Sequence, residues 1–331
     1  MTPTADGERI LITGGAGFIG STLTGRLIER NQVAIFDSFR RDALTGKPFA
    51  EHENLTTFRG DVLDPSALTK CVEQVDPTIV IHCAGIAGID TVVRSPITTM
   101  RVNLIGTAGV LDVCADRPSL KRFLNFSTSE VFGSLAFRSS ETDVAHLGAA
   151  AEGRWTYAVS KLAGEHLAYA YYRERGLPVV NLRPFNVYGP GQVGEGAMRE
   201  FVLRALADED IEIHGDGTQI RAWCYVEDFI EAVLRCLSTP DILGESFNIG
   251  NARAVITILG LAETVLRVLG AKSNIVFLPR RSADIELRVP SVEKARRCLD
   301  FEARVNLDVG IARTAEWFRR EGQPEAVGSS G

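Results

Sequence analysis

The fold of this chain is decided by one glycine-rich stretch, Thr13-Gly14-Gly15-Ala16-Gly17-Phe18-Ile19-Gly20. The stretch directly follows a short apolar run, residues 9–13, and opens a segment predicted to be a helix, residues 18–30. Glycines at this spacing let the backbone turn tightly, approach a diphosphate closely and pack the helix against the strand, while the helix N-terminus faces the phosphates. The stretch therefore predicts a dinucleotide-binding loop.

A carboxylate at the end of the next predicted strand favours NAD as the dinucleotide. Asp37 lies about 20 residues after the loop, where it can accept hydrogen bonds from the adenosine ribose hydroxyls. It would repel the 2′-phosphate of NADP, although Arg40 and Arg41 lie nearby and could meet that phosphate. Asp61 and Val62 follow the third strand and are predicted to border the adenine, with capping of the next helix by Asp61 an equally open alternative. The other predicted cofactor contacts are Gly14, Gly17, Phe18, Ile19 and Gly20.

Short apolar runs alternate with helical patterns through the first half of the chain, which is typical of strand-helix-strand crossovers in a parallel sheet. The predicted strands are residues 9–13, 32–37, 56–59, 78–84, 122–127 and 178–183. The predicted helices are residues 18–30, 65–74, 96–115 and 156–175. The predicted fold class is therefore α/β, a Rossmann doubly wound parallel sheet with a smaller, discontinuous C-terminal substrate domain.

The regular alternation ends at Pro184, after which glycine, proline and asparagine recur in a predicted loop. We predict a nucleotide-binding domain over residues 1–184, with a return segment near residues 219–250. The smaller domain is predicted over residues 185–321 and is expected to bind the substrate. Polar and small residues fill residues 322–331, which are predicted to form a disordered tail.

Composition limits the class of protein. The chain has 331 residues, 45% of them apolar, and a formal net charge of −6. This balance is typical of a soluble protein and argues against a nucleic-acid partner, which would need a basic face. No apolar run is long enough to cross a bilayer, so we expect no membrane contact and a cytoplasmic location. Six cysteines and five histidines occur without ligand-like spacing, which predicts reduced thiols and no metal.

Two polar segments predict acid–base chemistry. Tyr157 and Lys161 are four residues apart and share a helix face, close enough for the ammonium to favour tyrosinate. Thr128, Ser129 and Glu130 follow a strand at the carboxyl edge of the sheet, where ligands of doubly wound folds bind, and a hydroxyl there can share a substrate proton with the tyrosine. A helix-surface pair and a helix cap are the structural alternatives.

At these residues the chain resembles the extended short-chain dehydrogenase/reductase family, the NAD-dependent nucleotide-sugar epimerases, dehydratases and decarboxylases. Besides Tyr157 and Lys161, four segments carry the resemblance, which covers nearly the whole chain. They are residues 13–20, 127–133, 183–190 and 215–221. The resemblance implies that Tyr157 and Lys161 are the catalytic pair, that Asn186 contacts the sugar nucleotide and that Arg221 binds its diphosphate.

Two arginines favour one branch of that family. Arg154, three residues before the tyrosine, and Arg288, in the segment 284–291, are similar to residues of the UDP-glucuronic acid decarboxylases. Taken without the family, each arginine is most simply a surface salt-bridge partner. The UDP-glucuronic acid decarboxylases carry a tyrosine in the loop after the fourth strand. The corresponding loop here, residues 88–94, contains none. A 4-epimerase, a 4,6-dehydratase and, more distantly, a noncatalytic NAD-binding regulatory protein therefore remain open.

The resemblance implies a reaction on UDP-glucuronic acid. Tyr157 removes the proton of the 4-hydroxyl as C4 is oxidised, and the ketone then allows carbon dioxide to leave. Thr128 helps Tyr157 stabilise the enolate, and Arg288 or a water protonates C5. Ser129 and Glu130 position the substrate, with Glu130 also expected to repel its carboxylate. The product is UDP-4-keto-pentose, UDP-xylose or both.

Residues 96–115 and 156–175 carry apolar side chains on more than one helix face. In the resembled family the corresponding helices form a four-helix dimer interface, so we predict a homodimer. Ordinary burial of both helices against the sheet is the alternative.

Overall fold

A computed structural model describes residues 5–280 and 285–321 of the chain. Its strands are β1 Arg9–Thr13, β2 Gln32–Asp37, β3 Leu55–Arg59, β4 Ile79–His82, β5 Arg122–Phe126, β6 Leu135–Ser139, β7 Val179–Pro184, β8 Val187–Tyr188, β9 Ile211–His214, β10 Ile220–Ala222, β11 Cys224–Tyr225, β12 Ser246–Ile249, β13 Val255–Thr257, β14 Ile275–Leu278 and β15 Leu287–Pro290. Its α-helices are α1 Phe18–Leu27, α2 Pro65–Val75, α3 Ile89–Arg94, α4 Pro96–Met100, α5 Thr107–Cys114, α6 Thr156–Arg175, α7 Ala197–Leu206, α8 Val226–Ser238, α9 Ile258–Leu269, α10 Glu293–Leu299 and α11 Leu307–Glu321.

A seven-stranded sheet forms the centre of the protein, in the order β12-β7-β5-β4-β1-β2-β3. Every neighbouring pair in it is parallel. Alternate residues of β1 face opposite sides of the sheet: Ile10 and Ile12 pack with α1 and α8, whereas Leu11 packs with α2 and α5. Both faces are therefore covered, which confirms the predicted doubly wound α/β fold.

A smaller sheet, in the order β13-β10-β15-β6, takes three strands from the second half of the chain and β6 from the first half. A separate apolar cluster around Phe201, Trp223 and Phe318 also lies in the second half. Strand β12 pairs with β7 at the edge of the large sheet, and α8 buries Phe229 and Ile230 against it. Residues 226–249 thus pack with the nucleotide-binding half. The predicted domain boundaries stay a prediction, and the predicted tail, residues 322–331, lies outside the described residues.

The predicted helix 96–115 is not one regular α-helix. Between α4 and α5 the residues Arg101–Gly106 form a π-helical turn. Within it, the Asn103 side chain accepts a hydrogen bond from the Ile86 backbone N–H at 2.7 Å and donates to the Ile86 carbonyl at 2.9 Å. Such turns are frequent at functional sites, and this one ties the helix to the loop after β4.

Three smaller predictions are also corrected. Helix α1 ends at Leu27 instead of residue 30, because the Asn31 side chain donates to the Leu27 carbonyl at 2.8 Å. Strand β4 ends at His82, where the chain leaves the sheet for the cofactor cleft. Residues 187–188, predicted to be loop, form β8 and pair with β11.

All six cysteines are free thiols, and four of them are buried. Within the described ranges, 5–280 and 285–321, no group of three or more His, Cys, Asp or Glu side chains is arranged to hold a metal ion. Over those same residues, no helix combines the length and the apolar character needed to cross a bilayer.

Candidate active site

The glycine stretch forms a backbone cradle at the carboxyl edge of the large sheet. Gly14 has φ +73°, and a Cβ there would lie 2.5 Å from the backbone nitrogen of Ala84. A Cβ on Gly20 would lie 2.5 Å from the Gly14 carbonyl oxygen. Helix α1 starts immediately after Gly17, which has no side chain to cover the N-terminal N–H groups. This close-packed, uncapped helix start fits the pyrophosphate of a dinucleotide.

Asp37 lies beside the cradle, at the end of β2. Its Oδ2 accepts a hydrogen bond from the Ala16 N–H at 2.9 Å, and its Oδ1 accepts one from the Phe39 N–H at 2.7 Å. Partial burial raises its pKa above the usual range for aspartate. Arg41 turns away from it and donates to the Ala87 carbonyl at 3.1 Å. The carboxylate is thus held next to the glycine stretch, in the position that suits an adenosine ribose.

Asp61 does not cap helix α2, so that alternative is wrong. Its Oδ1 accepts a hydrogen bond from the Leu63 N–H at 3.0 Å, within its own turn. The cap is Asp64, whose Oδ1 accepts from the Ser66 and Ala67 N–H groups at 3.0 and 3.1 Å. Val62 is buried and lies beneath Gly106 of the π-helical turn.

Lys161 reaches from α6 into the cleft. Its Nζ donates a hydrogen bond to the Phe126 carbonyl at 2.7 Å, and a Cβ on Gly85 would lie 3.2 Å from that nitrogen. The residue is 6% exposed. Burial lowers the pKa of Lys161 to about 8, because the ammonium is removed from water.

Tyr157 lies one helical turn before Lys161 and next to Thr128. Burial and the negative charge of Glu130 raise its pKa to about 12, although a hydrogen bond with the Thr128 side chain acts in the opposite direction. In the protein alone the pKa of Tyr157 is therefore above its usual range, mainly because of burial, and the effect of the Lys161 ammonium on it stays a prediction.

Glu130 is held by a cluster of buried arginines. Its Oε2 lies 2.5 Å from Arg154 Nη1, and its Oε1 lies 3.8 Å from Arg288 Nη1. Burial alone would raise the pKa of Glu130. The positive charges of Arg154, Arg288 and Arg221 lower it by more than burial raises it, so the net pKa is below the usual range. The side chains of Arg154 and Arg288 are only 4% and 2% exposed, so the surface salt-bridge alternative is wrong for both.

The expected repulsion between Glu130 and a substrate carboxylate is also corrected. Two guanidinium groups already pair with Glu130, and their charge opposes its own. Ser129 is buried beside it in a short 3-10 helix, Ser129–Phe132, which Thr128 caps by accepting a hydrogen bond from the Glu130 N–H at 3.2 Å. These polar residues are therefore fixed by one short turn after β5.

Strands of the smaller sheet carry two further predicted residues to the same place. Arg221 on β10 and Arg288 on β15 are direct neighbours in a parallel register, so their side chains share a face. Arg288 Nη2 donates to the Gly133 carbonyl at 3.0 Å, which places it beside the turn of Glu130. Asn186 has φ +36° and donates from Nδ2 to the Ala222 carbonyl at 2.8 Å. It therefore links the loop after β7 to β10.

Sequence reasoning missed the polar support behind the site. His82 Nδ1 lies 2.6 Å from Thr13 Oγ1, and its Nε2 lies 2.9 Å from Thr107 Oγ1, which joins the glycine stretch to the start of α5, directly after the π-helical turn. Burial lowers the pKa of His82 to about 3, which keeps the imidazole neutral. Below the site, Arg183 and Glu165 form a buried ion pair at 2.8 Å. The only sequence signal for these contacts is that Thr13, His82 and Arg183 are polar residues at or near the ends of apolar strands.

Comparison with known proteins identifies the family. A family model described as the NAD dependent epimerase/dehydratase family matches residues 10–250. The chain belongs to this family. NAD is therefore its cofactor, and the backbone cradle and Asp37 fit it.

Relatives in this family differ in the reactions that their names print. A UDP-N-acetyl-alpha-D-glucosaminuronate decarboxylase from Bacillus cytotoxicus is 33% identical, covering 94% of this chain and 98% of the relative. UDP-glucuronic acid decarboxylase 1 from Danio rerio is 32% identical, over 97% and 75%. A dTDP-glucose 4,6-dehydratase from Streptomyces niveus is also 32% identical, over 94% and 93%. Identity alone therefore does not select one reaction.

Among solved structures, a UDP-glucuronic acid 4-epimerase from Bacillus cereus in complex with UDP-glucuronic acid and NAD has a TM-score of 0.87 to this chain. The two are 28% identical, and the match covers 95% of this chain and 99% of the other. The fold of this chain thus matches that of a solved NAD-bound structure over nearly its whole length.

Lys161 makes the stability of this family member depend on pH. Because its pKa is lowered from 10.5 to about 8, the unfolded chain binds more protons between these values, and stability should rise with pH in that window. Below pH 8 the buried ammonium costs about 3 kcal/mol. In protein freed of NAD, Lys161→Met is therefore expected to be more stable than the wild type at pH 7. Urea unfolding should show this advantage shrinking as the pH approaches 10.5.

The exposed Lys70 on α2 offers a matched control, because Lys70→Met removes an ammonium that is already in water. Its difference from the wild type should not vary with pH. A pH-independent difference for Lys161→Met would contradict the assignment of a buried, weakly held proton to Lys161.

Proposed function

We propose that this protein decarboxylates UDP-glucuronic acid in an NAD-dependent reaction that passes through a 4-keto sugar. The observation that carries the proposal is the buried cluster of Arg154, Arg221 and Arg288 around Glu130, next to Tyr157. Three guanidinium groups gather around one carboxylate in a poorly solvated place. A substrate carboxylate that enters this place can form charge-assisted hydrogen bonds with them, in addition to those that the diphosphate forms.

The position of the cluster supports a sugar carboxylate specifically. The charges of Glu130, Arg154 and Arg288 all act on Tyr157, so the cluster lies within electrostatic reach of the phenol that is proposed to act at C4. The bidentate fork of Arg221 matches phosphate oxygens, which supports a role at the diphosphate. Arg154 and Arg288 pair with Glu130 beside it and are proposed to contact the sugar carboxylate as well.

In the proposed reaction Tyr157 accepts the proton of the sugar 4-hydroxyl, and the Thr128 hydroxyl holds the same oxygen. Bound NAD supplies the two-electron oxidant that turns C4 into a ketone, and it can be regenerated on the same sugar. That ketone is beta to the C5 carboxylate, so carbon dioxide leaves as an enolate forms. Tyr157 and Thr128 then stabilise the enolate oxygen as hydrogen-bond donors.

Arg288 and Arg154 are proposed to hold the carboxylate, and Ser129 and Glu130 to orient the sugar ring. A guanidinium has a pKa above about 12 and is a poor proton donor, so water is the better source of the C5 proton. The sugar then leaves as UDP-4-keto-pentose or, once C4 is reduced again, as UDP-xylose.

The proposal is tested by incubating the purified protein with UDP-glucuronate, UDP-glucose and dTDP-glucose in parallel. We expect carbon dioxide and a UDP-pentose from the first substrate only, resolved by mass spectrometry of the nucleotide fraction. Turnover of UDP-glucose or dTDP-glucose without turnover of UDP-glucuronate would refute the proposal. No turnover of any of the three would favour a noncatalytic NAD-binding protein.

A 4-epimerase of UDP-glucuronic acid is the second candidate, and the arginine cluster itself favours it, because it fits the carboxylate of a uronic acid whichever reaction follows. The tyrosine that the decarboxylases carry after the fourth strand is also missing here: residues 88–94 contain none, and Ile89–Arg94 form α3. The same incubation separates the two reactions: an epimerase gives UDP-galacturonate of unchanged mass, whereas the decarboxylase gives a product that has lost carbon dioxide.

We also propose that the protein is a homodimer. Large apolar side chains are exposed on the predicted interface helices, with Ile97 77% and Ile105 55% exposed, and Tyr169 on α6 is also exposed. Clustered exposed apolar residues mark association surfaces. Sedimentation velocity should give twice the mass of one chain, and Ile97→Glu should shift the protein toward the monomer. Leu243→Glu, at an exposed loop position elsewhere, should not; a monomeric wild type would refute the proposal.

A further inference from the structure

A glycine-rich loop after β8, residues 189–196, extends one carboxylate toward the nucleotide-binding half. Gly191 and Gly194 have φ +80° and +81°, a conformation that side chains rarely adopt. A Cβ on Gly191 would lie 3.2 Å from Lys47 Nζ, and one on Gly194 would lie 2.9 Å from the Arg41 guanidinium. The 189–196 loop is therefore shaped to pack closely against the segment that follows β2.

Glu195, in this loop, caps a helix that is distant in sequence. Its carboxylate accepts hydrogen bonds from the backbone N–H groups of Asp90 at 2.8 Å and Thr91 at 3.1 Å, and from the Thr91 hydroxyl. Arg41 Nη2 lies 3.6 Å from the same carboxylate. A Cβ on Gly88, just before α3, would lie 2.7 Å from the Glu195 carboxyl carbon, so the contact needs a glycine there.

The segments that Glu195 joins also border the cofactor cradle. The Ala43 N–H donates to the Ala16 carbonyl at 2.7 Å, which fastens the segment after β2 onto the glycine stretch. The loop after β4 approaches the same stretch at Ala84 and reaches Lys161 at Gly85. Arg41 donates to the Ala87 carbonyl and so joins the two segments. These contacts therefore join the glycine stretch, the segment after β2 and the loop after β4 into a closed ring beside the cofactor cradle.

We propose that Glu195 is a latch that retains NAD. Its carboxylate bonds the 189–196 loop to both α3 and Arg41, so its loss releases this loop from the ring. Hydrogen bonds to an ionised group are about twice as strong as neutral ones, and one carboxylate makes several of them here. A cofactor that is reduced and reoxidised within one turnover must stay bound until that turnover is complete, and the latch serves that need. The proposal rests on NAD binding and not on which sugar is used.

The test measures the release of NAD from the purified holoprotein. The wild type, Glu195→Ala and Glu195→Gln are diluted into excess isotopically labelled NAD, and the unlabelled NAD that stays bound is followed by mass spectrometry after rapid gel filtration. Glu195→Ala should release NAD about tenfold faster or more. Glu195→Gln keeps one acceptor oxygen but loses the charge, and should fall between Glu195→Ala and the wild type.

Glu200→Gln is the matched control, because Glu200 is on α7 and pairs at the surface with Arg204 at 2.9 Å. It should release NAD at the wild-type rate. Thr91→Val removes one donor to the latch while leaving Glu195 in place, and should accelerate release in a correctly folded protein. Release at the wild-type rate from both Glu195→Ala and Thr91→Val would overturn the proposal, as would equal acceleration by Glu200→Gln.

Discussion

Replacing Tyr157 with phenylalanine is expected to stop sugar turnover while NAD stays bound. The phenol is the proposed base at C4, and loss of a positioned base typically slows a reaction by 10²–10⁴-fold, so kcat should fall by about 10³-fold. The ring remains, and the cradle around Gly14 and Asp37 is untouched. Steady-state assays with UDP-glucuronate give kcat, and release of the bound nucleotide by heat gives the NAD content.

Tyr169→Phe is the control for this substitution. Tyr169 lies on the same helix, α6, but is 44% exposed. This variant should keep both wild-type kcat and NAD content. Wild-type activity in Tyr157→Phe would refute the proposed base, and loss of NAD from it would show that the phenol holds the cofactor instead.

Replacing Arg288 with methionine is expected to lower kcat/KM for UDP-glucuronate by about 100-fold or more, because a buried charge-assisted contact is lost. The guanidinium is 2% exposed and pairs with Glu130, so its removal also leaves that carboxylate with less compensation. The pKa of Glu130 should therefore rise, and the activity remaining should shift its acidic limb to higher pH. Arg288→Lys keeps the charge but not the planar fork and should give an intermediate value.

Arg296→Met is the matched control, since Arg296 pairs with Glu293 at the surface of α10. It should leave kcat/KM unchanged. Circular dichroism and NAD content show whether Arg288→Met keeps its fold. If it does not, the same comparison is made with Arg288→Lys, which keeps the charge. Wild-type kcat/KM in both Arg288 variants would contradict a role in holding the substrate carboxylate.

The parts of the site that depend on local sequence were predictable. The glycine stretch and Asp37 lie at fixed positions relative to a strand and a helix, and the structure places them side by side, with Asp37 Oδ2 bonded to the Ala16 N–H. Tyr157 and Lys161 share a helix face because they are four residues apart. The doubly wound sheet was predictable as well, because the alternation of apolar runs and helical patterns can be read from the local sequence.

Contacts between distant segments were not predictable. Glu130 meets Arg288 because β15 pairs with β6 and β10 in one register, and no local pattern states that register. It meets Arg154 because the short turn Gly153–Trp155 before α6 packs beside it. The raised pKa of Tyr157 in the protein alone was likewise not predictable, since it depends on burial and on the charge of Glu130. The π-helical turn around Asn103 is a tertiary effect of the same kind.

The most direct test of the proposed decarboxylation uses UDP-glucuronate labelled with ¹³C at C6, given to the purified holoprotein without added NAD. The proposal predicts that labelled carbon dioxide or bicarbonate appears in the ¹³C spectrum over many turnovers per bound NAD, as UDP-pentose accumulates. If the label stays in the sugar while the substrate is consumed, the reaction is not a decarboxylation and the proposal is wrong.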